Sequence, residues 1–258
     1  MSTIYVSKLL SELPHVRHSF TTRDEGVSAG PFASLNLSVT VGDPRPNVEA
    51  NRRAVLARMG RPEATWVSVK QVHADAIVQV TASALRFAEA DALWTRDRGA
   101  AVAVLVADCV PILIADVKGR VIAAVHAGWR GTELKVAAKV VKRLADEGIK
   151  PTDLRVAMGP AIGPVHFEVG AEVLTKLRTA MPAASDAIRD TGTDKGVVDL
   201  WELNRLQLVE AGVVTEHIEA IRVCTYDTPT LFSHRRDGGT TGRQAGVIAF
   251  APGYMPKF

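Results

Sequence analysis

Residues 101–127 read AVAVLVADCVPILIADVKGRVIAAVHA, and no other stretch limits the possible fold as strongly. Three short apolar runs, at 101–106, 110–115 and 121–127, are separated by polar and turn-forming residues. Asp108 and Pro111 interrupt the first pair, so the stretch falls short of the roughly 18–20 consecutive apolar residues that a membrane helix requires. Short apolar runs bounded by turn residues read instead as buried strands. The close spacing of the first two predicts a hairpin, which favours an α+β arrangement over a doubly wound parallel sheet.

Helices are predicted where apolar residues recur at helical spacing between start and stop signals. In PNVEANRRAVLARMG, Pro46 sits near the start, Gly60 follows the end, and Val48, Val55, Leu56 and Met59 share a face. A second helix is expected to start from Thr132 as N-cap and to end before Gly148, with Leu134, Ala137, Ala138, Val141 and Leu144 on its apolar side. A third starts at Asp199 in DLWE and runs towards Gly212. Further strands are expected at 65–69 and in RVAMG, IEAIRVC and AGVIAF, while TTRDEGVSAGPFASLNLSVTVGDPRPNV reads as loops and short strands. No repeat or long linker divides the chain. The expectation is one α+β domain over residues 1–258, with mixed β-sheets flanked by helices.

Charged residues make up 23% and hydrophobic residues 47% of the chain, as in ordinary globular proteins. The formal net charge of +3 comes without dense basic runs, which argues against a nucleic-acid partner and leaves room for a small anionic ligand. Lys8, Glu12 and two histidines interrupt the first residues, so no secretory signal is read there and a cytoplasmic location is expected. In that compartment a Cys109–Cys224 disulfide is not expected, which leaves thiol, thiolate or metal-ligand roles.

His73 in VKQVHADAI, Cys109 in ADCVP and His126 in VHAGWRG together offer two imidazoles and a thiolate. That mixed donor set suits zinc and leaves a fourth position for water or substrate. Spacing alone equally allows a buried cysteine and two hydrogen-bonded histidines. AGWRGT after His126 adds two glycines, Arg130 and a helix start able to receive an anion. Asp108 could orient a ligand or close a strand turn. Arginine's planar fork suits phosphate or carboxylate, which makes candidates of Arg23, Arg52, Arg130, Arg235, Arg236 and Arg243, with Asn36 beside them. Glu168 is a candidate general acid or base, His166 a candidate ligand, and Phe20 and Phe167 candidates for stacking on a planar ring. Trp94, Trp129 and Trp201 share that reading, although aromatic residues more often fill a core.

The segments HSFTTRDEGVSAGPFASLNL, KQVH, ADAL, ADCVPILIAD, HAGWRGT, GPAIGPVHFEVG, DLWELNRLQL and SHRRDGGTTGRQAGVIA occur in this order over nearly the whole chain. In them the chain resembles the bacterial YfiH family, the laccase-domain or FAMIN-like purine nucleoside phosphorylases. HSFTTR, DEGVS and EANR depart slightly from the more common HGFSTR, GGVS and ENR, and no departure removes a candidate metal ligand. The resemblance implies an α+β fold and a zinc site of His73, Cys109 and His126. It also implies phosphorolysis of adenosine, inosine or methylthioadenosine to base and (methylthio)ribose 1-phosphate, with adenosine deamination as a further activity. Catalytic roles then fall to Cys109, His126, Arg130 and Glu168, and the phosphate or substrate to Arg23, Asn36, Arg52, Arg235, Arg236 and Arg243.

Two other readings use the same residues. The family has also carried a polyphenol oxidase or laccase label, with copper as the metal, but multicopper chemistry needs many histidines and this chain has seven. A Cys-His hydrolase editing cell-wall precursors would use Cys109 as nucleophile with His126 or His73 as base. The usual zinc deaminase signature, H-x-E followed by P-C-x-x-C, is not complete here, because no P-C-x-x-C occurs. Composition leaves the oligomeric state open between monomer and homodimer.

Overall fold

Along a strand successive side chains face opposite sides, so a strand with apolar residues at every position must be covered on both faces. The computed structural model, which describes residues 4–83 and 88–254, meets that demand with two sheets packed face to face and helices outside them. One sheet holds β1 (Val16–Phe20), β2 (Thr65–Val67), β5 (Ala100–Val106) and β13 (Gln244–Phe250), in the order β1-β13-β5-β2. The other holds β3 (Ile77–Gln79), β4 (Ala92–Thr95), β6 (Val110–Asp116), β7 (Ile122–Ala127), β8 (Leu154–Met158) and β12 (Ile218–Ala220), in the order β12-β8-β6-β7-β4-β3. Both sheets are mixed: β2–β5, β3–β4 and β12–β8 are parallel, and the remaining pairs antiparallel. A small antiparallel sheet of β9 (Glu168–Gly170), β10 (Ile188–Thr193) and β11 (Lys195–Val198) lies apart, in the order β10-β11-β9.

Alternation sorts the core into layers. Val102, Val104, Ile248 and Phe250 of one sheet pack with Leu93, Leu113, Ala115, Ile122 and Ala124 of the other in a buried inner layer. The opposite side of β5 and β13 is lined by small residues, Ala101, Ala103, Ala245 and Ala249, and receives Val55, Leu56 and Met59 of α2 (Arg45–Arg58) or its C-cap. The other face of β6 and β7, carrying Ile112, Ile114, Ala123 and Val125, is covered by α4 (Val136–Asp146) and α6 (Leu200–Glu210). Shorter helices α1 (Lys8–Ser11), α3 (Trp129–Glu133) and α5 (Ala171–Ala180) complete the set. No helix among the described residues is long and apolar enough to cross a membrane.

Helices α2 and α6 form as expected: Gly60 and Gly212 follow them at φ 69° and 94°, and the Asp199 side chain caps α6 by accepting from the Glu202 N–H at 3.0 Å. Two expectations need correction. The helix predicted from Thr132 is broken at Lys135, which stands at φ 59°; Thr132 lies inside α3 and Leu134 is exposed. Turning the axis there lets Val136, Val140, Val141 and Leu144 of α4 face the sheet. The hairpin predicted at 101–115 is not one, because β5 pairs with β13 and β2, and β6 with β7 and β8. The chain crosses between the sheets through residues 107–109, with Asp108 at φ 88°. The hairpin is β6–β7, whose turn contains Gly119 at φ 67°.

Candidate active site

That crossing fixes the position of Cys109, immediately before β6, while His126 lies near the end of the antiparallel partner β7, opposite Pro111. Residues 109, 111 and 113 share one side of β6, and 122, 124 and 126 one side of β7, so cysteine and histidine open onto the same end of the inter-sheet layer. His73 comes from the loop between β2 and β3. The ligand atoms of His73, Cys109 and His126 lie within 4.8 Å of one another, and the two imidazoles meet edge-on with centroids 4.8 Å apart. Gly128 lets the sulfur in: a Cβ there would stand 2.9 Å from Cys109 Sγ.

A fully buried carboxylate, Asp91, organises the cluster. It accepts from the backbone N–H groups of Val72, His73 and Ala74 at 3.2, 3.0 and 2.7 Å. Three successive N–H groups around a left-handed residue form a natural anion nest, which holds His73 at φ 59°. Asp91 Oδ1 also lies 2.7 Å from His126 Nδ1, and its backbone carbonyl accepts from the His126 N–H at 2.7 Å. An ionised carboxylate can only accept, so Nδ1 carries a proton and Nε2 is the nitrogen left for a ligand role, which a metal takes by displacing any proton held there. Burial opposes ionising Asp91, but the His126 contact and these N–H donors outweigh it and hold the carboxyl below its ordinary range. Gln71 braces the same loop through two hydrogen bonds of its side-chain amide, Nε2 donating to the Leu105 carbonyl and Oε1 accepting the Leu105 N–H, both at 2.8 Å.

Burial also disfavours a charged thiolate and a charged imidazole, yet mutual attraction prevails. The neighbouring His126 and His73 bring the Cys109 thiol down to about 6, and Cys109 with Asp91 lifts His126 to about 9. A thiolate and two oriented imidazoles are donors of the kind zinc takes, and copper accepts the same set. Both cysteines are free of disulfides.

The cluster opens into a cavity of about 830 Å³ lined also by Arg52, Phe167, His234, Arg235 and Arg243. Arg52 donates through Nε and Nη2 to the Leu37 carbonyl at 2.9 and 2.7 Å and lies over the Trp66 ring; burial lowers it to about 10, so it remains cationic at neutral pH. Arg243 donates through Nη1 to the carbonyls of Thr241 and Gly242, at 2.8 and 2.9 Å. Arg235 donates its backbone N–H to Asp108 Oδ2 and its guanidinium to the carbonyls of His166 and Glu168.

Other sequence candidates serve elsewhere. Asn36 is buried behind the wall, where its Oδ1 accepts the Arg243 N–H at 2.9 Å and its Nδ2 donates to Asp43 at 2.8 Å. Arg23 donates to the Ala33 carbonyl and covers Phe232, and Arg236 ties together the carbonyls of Thr225, Thr228 and Leu231. Arg130 lies exposed over Trp129, and Glu168 pairs with Lys195 at 3.0 Å on the small sheet. Phe20, Trp94 and Trp201 belong to the core, whereas Phe167 reaches the cavity. Asp108 joins loops: Oδ1 accepts from the Thr225 hydroxyl at 2.6 Å, and its carbonyl accepts from the Ile162 N–H. Sequence reading passed over Asp91 and Gln71. An aspartate within the apolar segment ADAL was the available signal for Asp91.

Residues 17–251 match the model of the family described as "Multi-copper polyphenol oxidoreductase laccase". The chain belongs to this family. Within this laccase family and its relatives, the chain is 42% identical over 240 residues to a Geobacillus stearothermophilus protein named "Purine nucleoside phosphorylase YlmD", covering 88% of each. It is 40% identical over 230 residues to "Purine nucleoside phosphorylase YfiH" of Shigella flexneri, covering 88% of this chain and 91% of that protein. The crystal structure of YlmD from Geobacillus stearothermophilus superposes with a TM-score of 0.88 at 38% identity, covering 95% of this chain and 94% of that one. A Bacillus licheniformis protein titled "hypothetical protein YfiH" gives 0.90 at 33% identity, covering 97% of both chains.

Proposed function

We propose that this chain is a zinc-dependent purine nucleoside phosphorylase of the cytoplasm. Its substrates are adenosine, inosine and methylthioadenosine, cleaved with phosphate to the base and ribose or methylthioribose 1-phosphate. Adenosine deamination is its further activity. The observation that carries this reading is the convergence, in one cavity, of a His73–Cys109–His126 donor set, five arginines that include Arg52, Arg235 and Arg243, and the ring of Phe167. The names of the relatives support the same reading.

In phosphorolysis a phosphate oxygen bonds to the anomeric carbon, the bond from that carbon to the purine nitrogen breaks, and the base leaves with a proton. Arg52, Arg235 and Arg243 hold the phosphate, each with its guanidinium tethered to backbone carbonyls. Phe167 offers a face to the base. Zinc held by His73, Cys109 and His126 would supply Lewis-acid charge beside the substrate. Asp91 holds the His126 imidazole and the backbone of His73, and Asn36 acts through the backbone of Arg243. Deamination exchanges the amino group of adenosine for a water-derived oxygen and releases ammonia.

The family's description points towards copper oxidation. Among the described residues, the groups of three or more side chains suited to a metal number two, each of three residues, against the larger histidine sets of multicopper sites. The deciding experiment incubates protein of measured metal content with adenosine, with and without phosphate, and separates the products. Adenine and ribose 1-phosphate formed only with phosphate are expected, with inosine reporting the deaminase. Absence of phosphorolysis, together with phenol oxidation that tracks copper content, would replace this reading with the laccase one.

A further inference from the structure

Outside the cavity, a second mixed donor set brings the remaining cysteine beside a histidine and a carboxylate. The ligand atoms of His166, Cys224 and Asp227 all lie within 4.8 Å of one another, and His166 Nε2 stands 2.7 Å from Asp227 Oδ1. They come from two turns, each closed by its own backbone: His166 N–H and Phe167 N–H donate to the Gly163 carbonyl, and Thr228 N–H donates to the Cys224 carbonyl. The turns meet at a parallel bridge between Ala161 and Cys224.

Both soft donors are oriented before any ion arrives. The sulfur of Cys224 accepts the Gly163 N–H at 3.2 Å, and a Cβ at residue 163 would stand 3.3 Å from it, so backbone is fitted closely around the sulfur. The His166 ring is stacked on Tyr226, with centroids 4.2 Å apart and planes 16° apart. A tetrahedral zinc at about 2.0–2.3 Å from N, O and S ligands separates those ligands by roughly 3.3–3.8 Å, which small side-chain rotations reach from here. Thiolate plus carboxylate carry the two negative charges that a divalent ion balances. His166 and Asp227 are partly open to solvent, leaving a fourth position for water.

We propose that His166, Cys224 and Asp227 form a second divalent-metal site, distinct from the His73–Cys109–His126 set, that clasps the turn at 163–167 to the turn at 224–228. Its position gives it a structural role. Phe167 at the end of one turn lines the cavity, and Thr225 in the other bonds Asp108, the neighbour of Cys109. Metal in the clasp therefore stiffens two supports of the cavity without contacting substrate.

Co²⁺ titration of the metal-free full chain tests this, because a cobalt–thiolate bond has its own charge-transfer absorption. Two equivalents are expected, both with thiolate bands. Cys224→Ser and, separately, His166→Gln should remove one equivalent while the band from Cys109 persists. A variant carrying Cys109→Ala and His126→Ala should still bind one equivalent through a thiolate. As a check independent of variant folding, Zn²⁺ should slow alkylation of Cys224 in the wild-type chain at least tenfold, read by peptide mass spectrometry. Binding in the wild type that Cys224→Ser leaves unreduced, or Cys224 alkylation unchanged by Zn²⁺, overturns the proposal.

Discussion

At the corner where His73, Cys109 and His126 meet, Cys109 and His126 sit at strand ends, the buried carboxylate of Asp91 holds the His126 ring, and the same carboxylate holds the backbone N–H of His73. On the wall that carries Arg52 and Arg243, the side chains are fixed by carbonyls of loop residues Leu37, Thr241 and Gly242. The corner thus relies on one ionised group serving four donors, with Asp91 and His126 themselves buried and His73 exposed at the cavity side, so that removing the carboxylate strands its partners. The wall relies on neutral acceptors that each leave part of a guanidinium available. Rigid placement suits a metal, whose ligand distances tolerate little error; loop-held cations suit an anion that enters and leaves.

The sharpest way to break this comparison is Asp91→Ala. Three backbone N–H groups and His126 Nδ1 lose their acceptor, and the left-handed His73 loses the nest that holds it. Metal affinity should fall by about 10–100-fold, as for other groups that orient metal ligands, and stability by about 3–5 kcal/mol. Equilibrium dialysis and denaturant unfolding measure the two. A variant that binds metal like the wild type would mean the corner does not depend on Asp91.

Next in size, Arg52→Lys keeps the charge and gives up the planar fork. Losing charge-assisted contacts of about 1.5–3 kcal/mol should raise the phosphate KM roughly 10–100-fold. Metal affinity should stay put. Steady-state kinetics with phosphate varied separates these, and a matching loss of metal would show the wall and corner to be one unit.

How far the sequence anticipates this arrangement differs between the two regions. The ligands are legible because histidine and cysteine are uncommon at the ends of apolar strands, so residues 109 and 126 stand out. Helix α2 is legible because Pro46, Gly60 and one apolar face agree. Asp91 shows in sequence only as an aspartate inside the apolar segment ADAL; its role is not legible, because its donors, at 72–74 and at His126, come from segments that only the fold brings together. The arginines look alike in sequence, and only their carbonyl partners separate Arg52 and Arg243 at the cavity from Arg23 and Arg236 in the frame. The helix break at Lys135 and the sheet crossing at Asp108 were missed for a shared reason. Each depends on a non-glycine residue at positive φ, a conformation that tertiary contacts impose and local propensity opposes.

Gly128→Ala sharpens the comparison from the steric side. Gly128 has φ −76° and ψ 178°, which alanine adopts freely, so any effect comes from the Cβ placed 2.9 Å from Cys109 Sγ. Overpacking of this kind costs about 1–2 kcal/mol and should weaken metal binding roughly tenfold. In metal-replete protein the phosphate KM should remain within about twofold. A rise in phosphate KM equal to the loss in metal affinity would show that the sulfur's position is transmitted to the wall.

Ionic strength distinguishes the regions with no mutation at all. Raising salt from about 0.1 M to about 1 M shortens the Debye length from about 10 Å to about 3 Å. Arg235 on the wall is exposed and Arg52 only partly covered, so attraction of phosphate should weaken and its KM rise a few-fold. His126 and Asp91 are buried, and their interaction is screened far less, so the metal dissociation constant should hardly move. The measurement is a pair of titrations, phosphate kinetics and metal competition, in the same salt series. Parallel salt slopes would mean that the arginines owe their hold on phosphate to contacts as dry as those of the metal corner, and the division between a rigid corner and a solvent-facing wall would fall.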